Sequence, residues 1–287
     1  MTAQNPPPVP RCYVHPDRVA GSVCRRCNRP ICPECMHEAP VGWQCPACTR
    51  EGHRRAPEIR WRPASRGRLG NTRLTPAVLA LIAVNVAVFL WEQAHYANVV
   101  DRFAMWPVGV HSEGQWYRLI TAAFLHANLE HILFNMVTLA IVGSPVEAEL
   151  GKVRFVALYF VSALGGSVAS YLLSRPFEAG VGASGAIFGV MGAYFVLARR
   201  RRWETGTIAA LIVINIVISF AVPIIDWRAH LGGLFTGAVV GFGMGRTSEV
   251  RRLAGRAGGI AAGVGIAAAA AAVLAVLVTL PPGQVNL

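Results

Sequence analysis

Charged side chains are scarce in this chain: they make up 15% of its 287 residues, against 54% hydrophobic, where soluble domains carry nearer a quarter. That scarcity, with a mean hydropathy of +0.44, points away from an ordinary soluble domain and toward a membrane protein. Acidic residues are the scarcer sign, so the net charge is +12. The arginines, however, sit between apolar stretches and in one linker, which suits anionic headgroups and topology signals; nucleic acid is not an expected partner. Cysteine is missing beyond Cys48, all seven lying between Cys12 and Cys48, and this segregation marks two domains. No cleavable signal peptide is visible after Met1-Thr2-Ala3-Gln4-Asn5, so the first apolar helix is expected to serve as the insertion signal. No HExxH lies in the apolar stretches, against a zinc-dependent membrane protease. No repeat of broken helices is apparent either, against a transporter with His131, Asn135 and His230 along a proton or ion path.

What the amino-terminal part does contain is four ligand pairs: Cys12-x2-His15, Cys24-x2-Cys27, Cys32-x2-Cys35 and Cys45-x2-Cys48. Each pair can place two ligands on one metal from a tight turn, and eight ligands satisfy two tetrahedral zinc ions. A segment this short and polar could hardly bury a core without them. A disulfide framework fits poorly with an odd cysteine count. All ligand positions are filled, so the zinc is expected to be structural, with none needed for catalysis. The spacing resembles a B-box-type zinc finger, in which alternating pairs share a metal. That resemblance implies Cys12, His15, Cys32 and Cys35 on one ion and Cys24, Cys27, Cys45 and Cys48 on the other, with His37 and His53 as substitutes. It also implies a module that binds a protein partner or regulates an assembly.

The expected organisation is a Pro-rich disordered tail at 1–10, a zinc-binding domain at 11–53 and a basic linker at 54–73. A six-helix membrane core at 74–245 follows, then a cytoplasmic loop and seventh transmembrane helix at 246–287. Stretches apolar enough to span fall at about 75–94, 119–143, 154–173, 182–198, 206–222, 229–245 and 258–280. Residues 95–118, with Phe103, Trp106, Trp116 and Tyr117, read as an interfacial loop. Basic residues cluster at Lys152 and Arg154, at Arg199 to Arg202, and at Arg246, Arg251, Arg252 and Arg256, after the second, fourth and sixth spans. The positive-inside rule then places the amino terminus in the cytoplasm and the carboxyl terminus outside, in the plasma membrane.

That orientation brings four unusual polar residues to one depth near the outer surface. Ser184 lies in Gly182-Ala183-Ser184-Gly185 and His230 in Ala229-His230-Leu231-Gly232-Gly233, while His131-x3-Asn135 shares one helix face. A serine hydroxyl needs a base to take its proton, and neutral histidine suits that role. Gly182 and Gly185 permit a tight turn around the nucleophile, and helix-start N–H groups, His131 and Asn135 can face a developing oxyanion. Gly185-x3-Gly189 and Gly233-x3-Gly237-x3-Gly241 would let two helices approach closely. Asp226 lies one turn from His230, so a dyad is the simpler reading. Singly, Ser184 reads as a packing serine and either histidine as a buried carbonyl partner; the convergence carries the case.

Residues 74–245 resemble a rhomboid intramembrane serine protease. The matching stretches are Trp116-Tyr117-Arg118, His126-Ala127-x3-His131-x3-Asn135, Gly182-Ala183-Ser184-Gly185 and Ala229-His230-Leu231-Gly232-Gly233 with Gly237. The resemblance implies an all-α polytopic membrane protein: a six-helix rhomboid core plus a seventh helix, preceded by the small zinc-binding domain. It implies Ser184 as nucleophile, His230 as base, His131 and Asn135 at the oxyanion, and Glu147 as a structural carboxylate. Substrates would be single-span membrane proteins cut near the outer face of the lipid bilayer, with the fifth helix as a lateral gate. Phe188 stands where many members carry Tyr, keeping the ring that packs under the histidine. The alternative is a catalytically silent rhomboid-like scaffold, though such proteins usually lack the serine or the histidine.

Overall fold

A computed structural model describes residues 9–40, 42–55 and 74–282. The chain divides into two compact units, Met1–Ala64 and Ser65–Leu287. Most of the basic linker, 56–73, lies outside the described residues, as does most of the Pro-rich tail.

The first unit is two short hairpins and a helix built around sulfur. Strands β1 (Ser22–Val23) and β2 (Pro30–Ile31) pair antiparallel, as do β3 (His37–Ala39) and β4 (Gly42–Gln44), and helix α1 (Pro46–Arg55) follows. Asn28, at φ 60°, closes the first hairpin, with its N–H on the Cys24 carbonyl at 2.8 Å. The buried apolar residues here are six cysteines and Ile31, a core too small to stand without crosslinks.

Among the described residues, every named element of the second unit is a helix. Helix α2 (Pro76–Ala94) begins with proline, which fits a first turn because its missing N–H would have no partner there. The next N–H groups are caught by Glu147: its carboxylate accepts from Ala77 at 3.0 Å and Val78 at 2.9 Å. A buried anion at a helix N-terminus meets both the unpaired donors and the positive end of the dipole.

Residues 95–118 are more structured than the interfacial loop expected of them. They form α3 (Tyr96–Phe103) and α4 (Pro107–Ser112), pinned by Arg118 at the start of α5 (Arg118–Thr121). Its buried guanidinium donates to the carbonyls of Ala104 at 2.8 Å and Asp101 at 2.7 Å. The expected span at 119–143 is also corrected. After α5 and a 3-10 turn (Ala122–Phe124) the chain extends, and α6 (Leu129–Leu150) starts only where the Asn128 side chain accepts the His131 N–H at 2.8 Å.

Helices α7 (Lys152–Leu173), α8 (Ser184–Arg201), α9 (Gly206–Ala221), α10 (Trp227–Arg246) and α11 (Ser248–Leu277, broken at Gly255) complete the unit. By length and composition α2, α6, α7 and Leu253–Leu277 of α11 can cross a membrane, and α9 is a shorter apolar helix. Helices α8 and α10 carry arginines and many glycines, and they pack in the middle of the bundle with α7. With these apolar helices the second unit is that of a multi-pass membrane protein.

The central packing is decided by missing side chains. A Cβ on Gly233 of α10 would overlap the Gly185 carbonyl of α8, one on Gly237 would overlap that of Gly189, and one on Gly241 would lie 2.6 Å from the Ala193 Cβ. From α7, a Cβ on Gly166 would lie 2.8 Å from the Ala229 carbonyl. Three helices thus meet backbone to backbone, as small-residue faces allow where no hydrophobic force separates helix from lipid.

Candidate active site and metal centre

The segment leading into α8 is held from both sides. Met105 and Gly180 exchange backbone hydrogen bonds at 3.0 and 2.9 Å, and the Gly182 N–H reaches the Ala122 carbonyl at 2.9 Å. Gly182 then takes φ +131°, where an L side chain is strained, and a Cβ there would stand 2.8 Å from the His131 ring and 3.6 Å from Ser184 Oγ. The turn and the His131 ring are therefore in contact.

Ser184 is the first residue of α8, half-buried. The first helical bond runs from Ile187 N–H to Ala183, so the N–H groups just after the turn point out of the helix start unpaired within it. They and the dipole favour negative charge beside the Ser184 hydroxyl. One turn on, the Phe188 ring stacks on His230 at 4.2 Å between centroids and 15° between planes. Gly185 faces the Ala229 carbonyl, with 3.3 Å to a Cβ placed there. The opening turns of α8 and α10 are thus laid against each other.

The opening of α6 supplies the other donors. Asn135 is buried, and its Nδ2 has no protein partner among the described residues. His131 is half-buried, its ring edge-on to His126 at 5.2 Å. His126 is fully buried, with neither ring nitrogen partnered among the described residues. Its backbone N–H donates to the buried carboxylate of Glu92 at 3.0 Å.

Asp226, one turn from His230, is engaged elsewhere. Its carboxylate caps α10, accepting from Arg228 and Ala229 N–H at 3.1 and 3.2 Å. The group on His230 Nδ1 is instead the hydroxyl of Ser219, from α9, at 2.6 Å. Sequence reasoning missed it. The available signal was a single hydroxyl near the end of a helix that is apolar apart from Thr207 and Asn215.

The metal ligands fall into two groups, Cys12, His15, Cys32 and Cys35, and Cys24, Cys27, Cys45 and Cys48, each with its ligand atoms within 4.8 Å of one another. Zinc bound to sulfur at ~2.3 Å in a tetrahedron sets its ligands about 3.5–3.8 Å apart. Cys27 and Cys45 Sγ lie 3.7 Å apart, and His15 Nδ1 is 3.5 Å from Cys32 Sγ and 3.3 Å from Cys35 Sγ. The residues fit that ion. Backbone N–H groups of Cys45 and Cys48 also point at the Cys24 and Cys45 sulfurs, at 3.3 and 3.4 Å. Burial first, then neighbouring cysteines, push the Cys35 and Cys48 thiols up to about 12. His37 stands in β3, outside both groups; the side chain of His53 lies outside the described residues.

Residues 113–247 match the Rhomboid domain family. The chain is similar to the rhomboid protease GluP of Bacillus subtilis, 41% identical over 131 residues, or 44% of this chain and 25% of GluP. It is 33% identical over 178 residues to the rhomboid-type protein YdcA of the same organism, covering 59% of this chain and 89% of YdcA. It is 37% identical over 138 residues to RHOMBOID-like protein 5 of Arabidopsis thaliana, 45% of this chain and 44% of that protein. The matched stretch holds the turn at Ser184, the start of α10 and the donors on α6.

Proposed function

Because the chain belongs to the rhomboid family of intramembrane serine proteases, we propose that it is an endopeptidase that cuts single-span membrane proteins with Ser184 as nucleophile and His230 as base. The observation that carries this reading is that the start of α8, opened by Ser184, meets two other helix starts: Phe188 stacks on His230 in the first turn of α10, and Gly182 lies against His131, which with Asn135 sits in the first turns of α6.

Each group has a task its surroundings suit. His230 takes the Ser184 proton as Oγ attacks the scissile carbonyl. The oxyanion that forms meets the N–H groups opening α8, the His131 ring and the free Nδ2 of Asn135. His230 returns the proton to the departing amine, and water then releases the acyl-enzyme by the same steps in reverse. Stacking on Phe188 keeps the imidazole in one plane throughout.

The basic clusters after α6, α8 and α10 support a reading in which those ends face the cytoplasm and the site lies near the outer face of the plasma membrane, in a six-helix core followed by a seventh span. The first unit holds two structural zinc ions and serves as a cytoplasmic module for regulation or a protein partner.

The test is cleavage of a model single-span substrate by the full chain in detergent, with Ser184→Ala and His230→Ala alongside at matched zinc content. Both variants are expected to lose cleavage by about a thousandfold or more. Unchanged cleavage by Ser184→Ala would remove it as nucleophile. A parent that neither cuts nor takes a fluorophosphonate label on Ser184 would turn the reading to a silent membrane scaffold.

A further inference from the structure

The His230 ring is fixed on more sides than the dyad explains. Phe188 covers one face, and Nδ1 lies 2.6 Å from Ser219 Oγ. The same hydroxyl lies 2.6 Å from the Asn215 carbonyl, one turn back on α9. A hydroxyl has one proton to give, and a carbonyl oxygen can only accept. If that proton goes to Asn215, Ser219 accepts from His230 and Nδ1 is the protonated nitrogen.

We propose that Ser219 is the positioning residue of the base. It holds neutral His230 as the Nδ1–H tautomer and leaves the Nε2 lone pair free for the Ser184 proton. An orienting carboxylate does this in a triad; here Asp226 is committed to capping α10 and a neutral hydroxyl takes the place. The burial pattern of α9 agrees. Ile208 and Ser219 are its only fully buried side chains among the described residues, while Val213, Ile214, Val217 and Phe220 are exposed. The serine is turned inward to meet the histidine, while the apolar side chains around it face out. Since it rides on α9, displacement of that end of the helix takes the orienting group away from the base.

The inference rests on the protease reading of Ser184 and His230, and the test separates the two. Ser219→Ala and Ser219→Thr, which keeps the hydroxyl, are made in the full chain in lipid nanodiscs, with thermal unfolding confirming that both fold. Ser219→Ala is expected to lower kcat by about ten- to a hundredfold with KM within about threefold, and Ser219→Thr to recover to within about threefold of the parent. Nitrogen-15 histidine spectra are recorded in a Ser184→Ala background, with the His230 signals identified by their loss in His230→Ala. They are expected to report Nδ1–H, shifting to a mixture when Ser219 is also Ala. An unchanged kcat in Ser219→Ala, a loss that Thr does not restore, or an unaltered tautomer would overturn the proposal. If the parent cleaves nothing, the protease reading fails, and the nitrogen spectra alone decide the role of Ser219.

Discussion

At Gly182 two demands fall on one position. Its φ of +131° excludes ordinary side chains, and the space a Cβ would fill is taken by the His131 ring at 2.8 Å. Gly182→Ala therefore strains the turn by about 1–3 kcal/mol and pushes His131 away from Ser184. We expect a folded protein with at least tenfold lower kcat, read from cleavage rate beside a thermal melt; full activity would mean that the turn and the His131 ring are not part of the chemistry. The turn and its polar partners were legible from residue types alone, since a small-residue turn with one hydroxyl and a histidine far along the chain have few joint explanations. Ser219 was not legible. Its sequence neighbourhood is a mostly apolar helix, and only the placement of α9 against α10 brings the hydroxyl to Nδ1.

Helices α8 and α10 share a seam that leaves no room for a methyl group. Gly237 meets the Gly189 backbone, whereas Gly265 on α11 has nothing within 4 Å of where its Cβ would be. Gly237→Ala is expected to cost about 3 kcal/mol by forcing two backbones apart. Gly265→Ala should be neutral, or stabilising by up to ~1 kcal/mol through helix propensity. Unfolding in mild detergent distinguishes them, and equal effects would refute the close seam. The glycine spacing predicted this approach because period four keeps the residues on one face. The start of α6 was misjudged for a related reason. No Gly or Pro interrupts the mostly apolar stretch from 119 to 142, so periodicity offered no stop, and the boundary was set by the Asn128 cap and the extended stretch before it.

At the scale of the whole molecule, the first unit has a core of thiols and one isoleucine, and the second a core of interlocked helices. Their stabilities should answer to different reagents. Removing zinc with a strong chelator is expected to unfold residues 9–55, seen as rapid proteolysis there, while the detergent melt of the helical unit persists. Each ligand group holds one thiol pushed down to about 6, Cys12 or Cys24, and one pushed up to about 12, Cys35 or Cys48; zinc takes cysteine as thiolate, so binding displaces thiol protons and affinity should fall as pH is lowered. Affinity independent of pH, or proteolytic resistance without metal, would argue against thiolate-bound zinc in this unit.

The sequence by itself determined the division of labour: metal-binding pairs in one segment, apolar helices in the other, and a hydroxyl, an amide and two imidazoles set at intervals that could converge. These follow from spacing and composition, which act along the chain. What only the tertiary structure decided is how α6, α8, α9 and α10 meet. Contacts such as Ser219 on His230 and Glu147 on the start of α2 join residues whose positions in the chain carry no signal of each other. They exist because packed helices leave a few buried polar atoms that must find partners where they can.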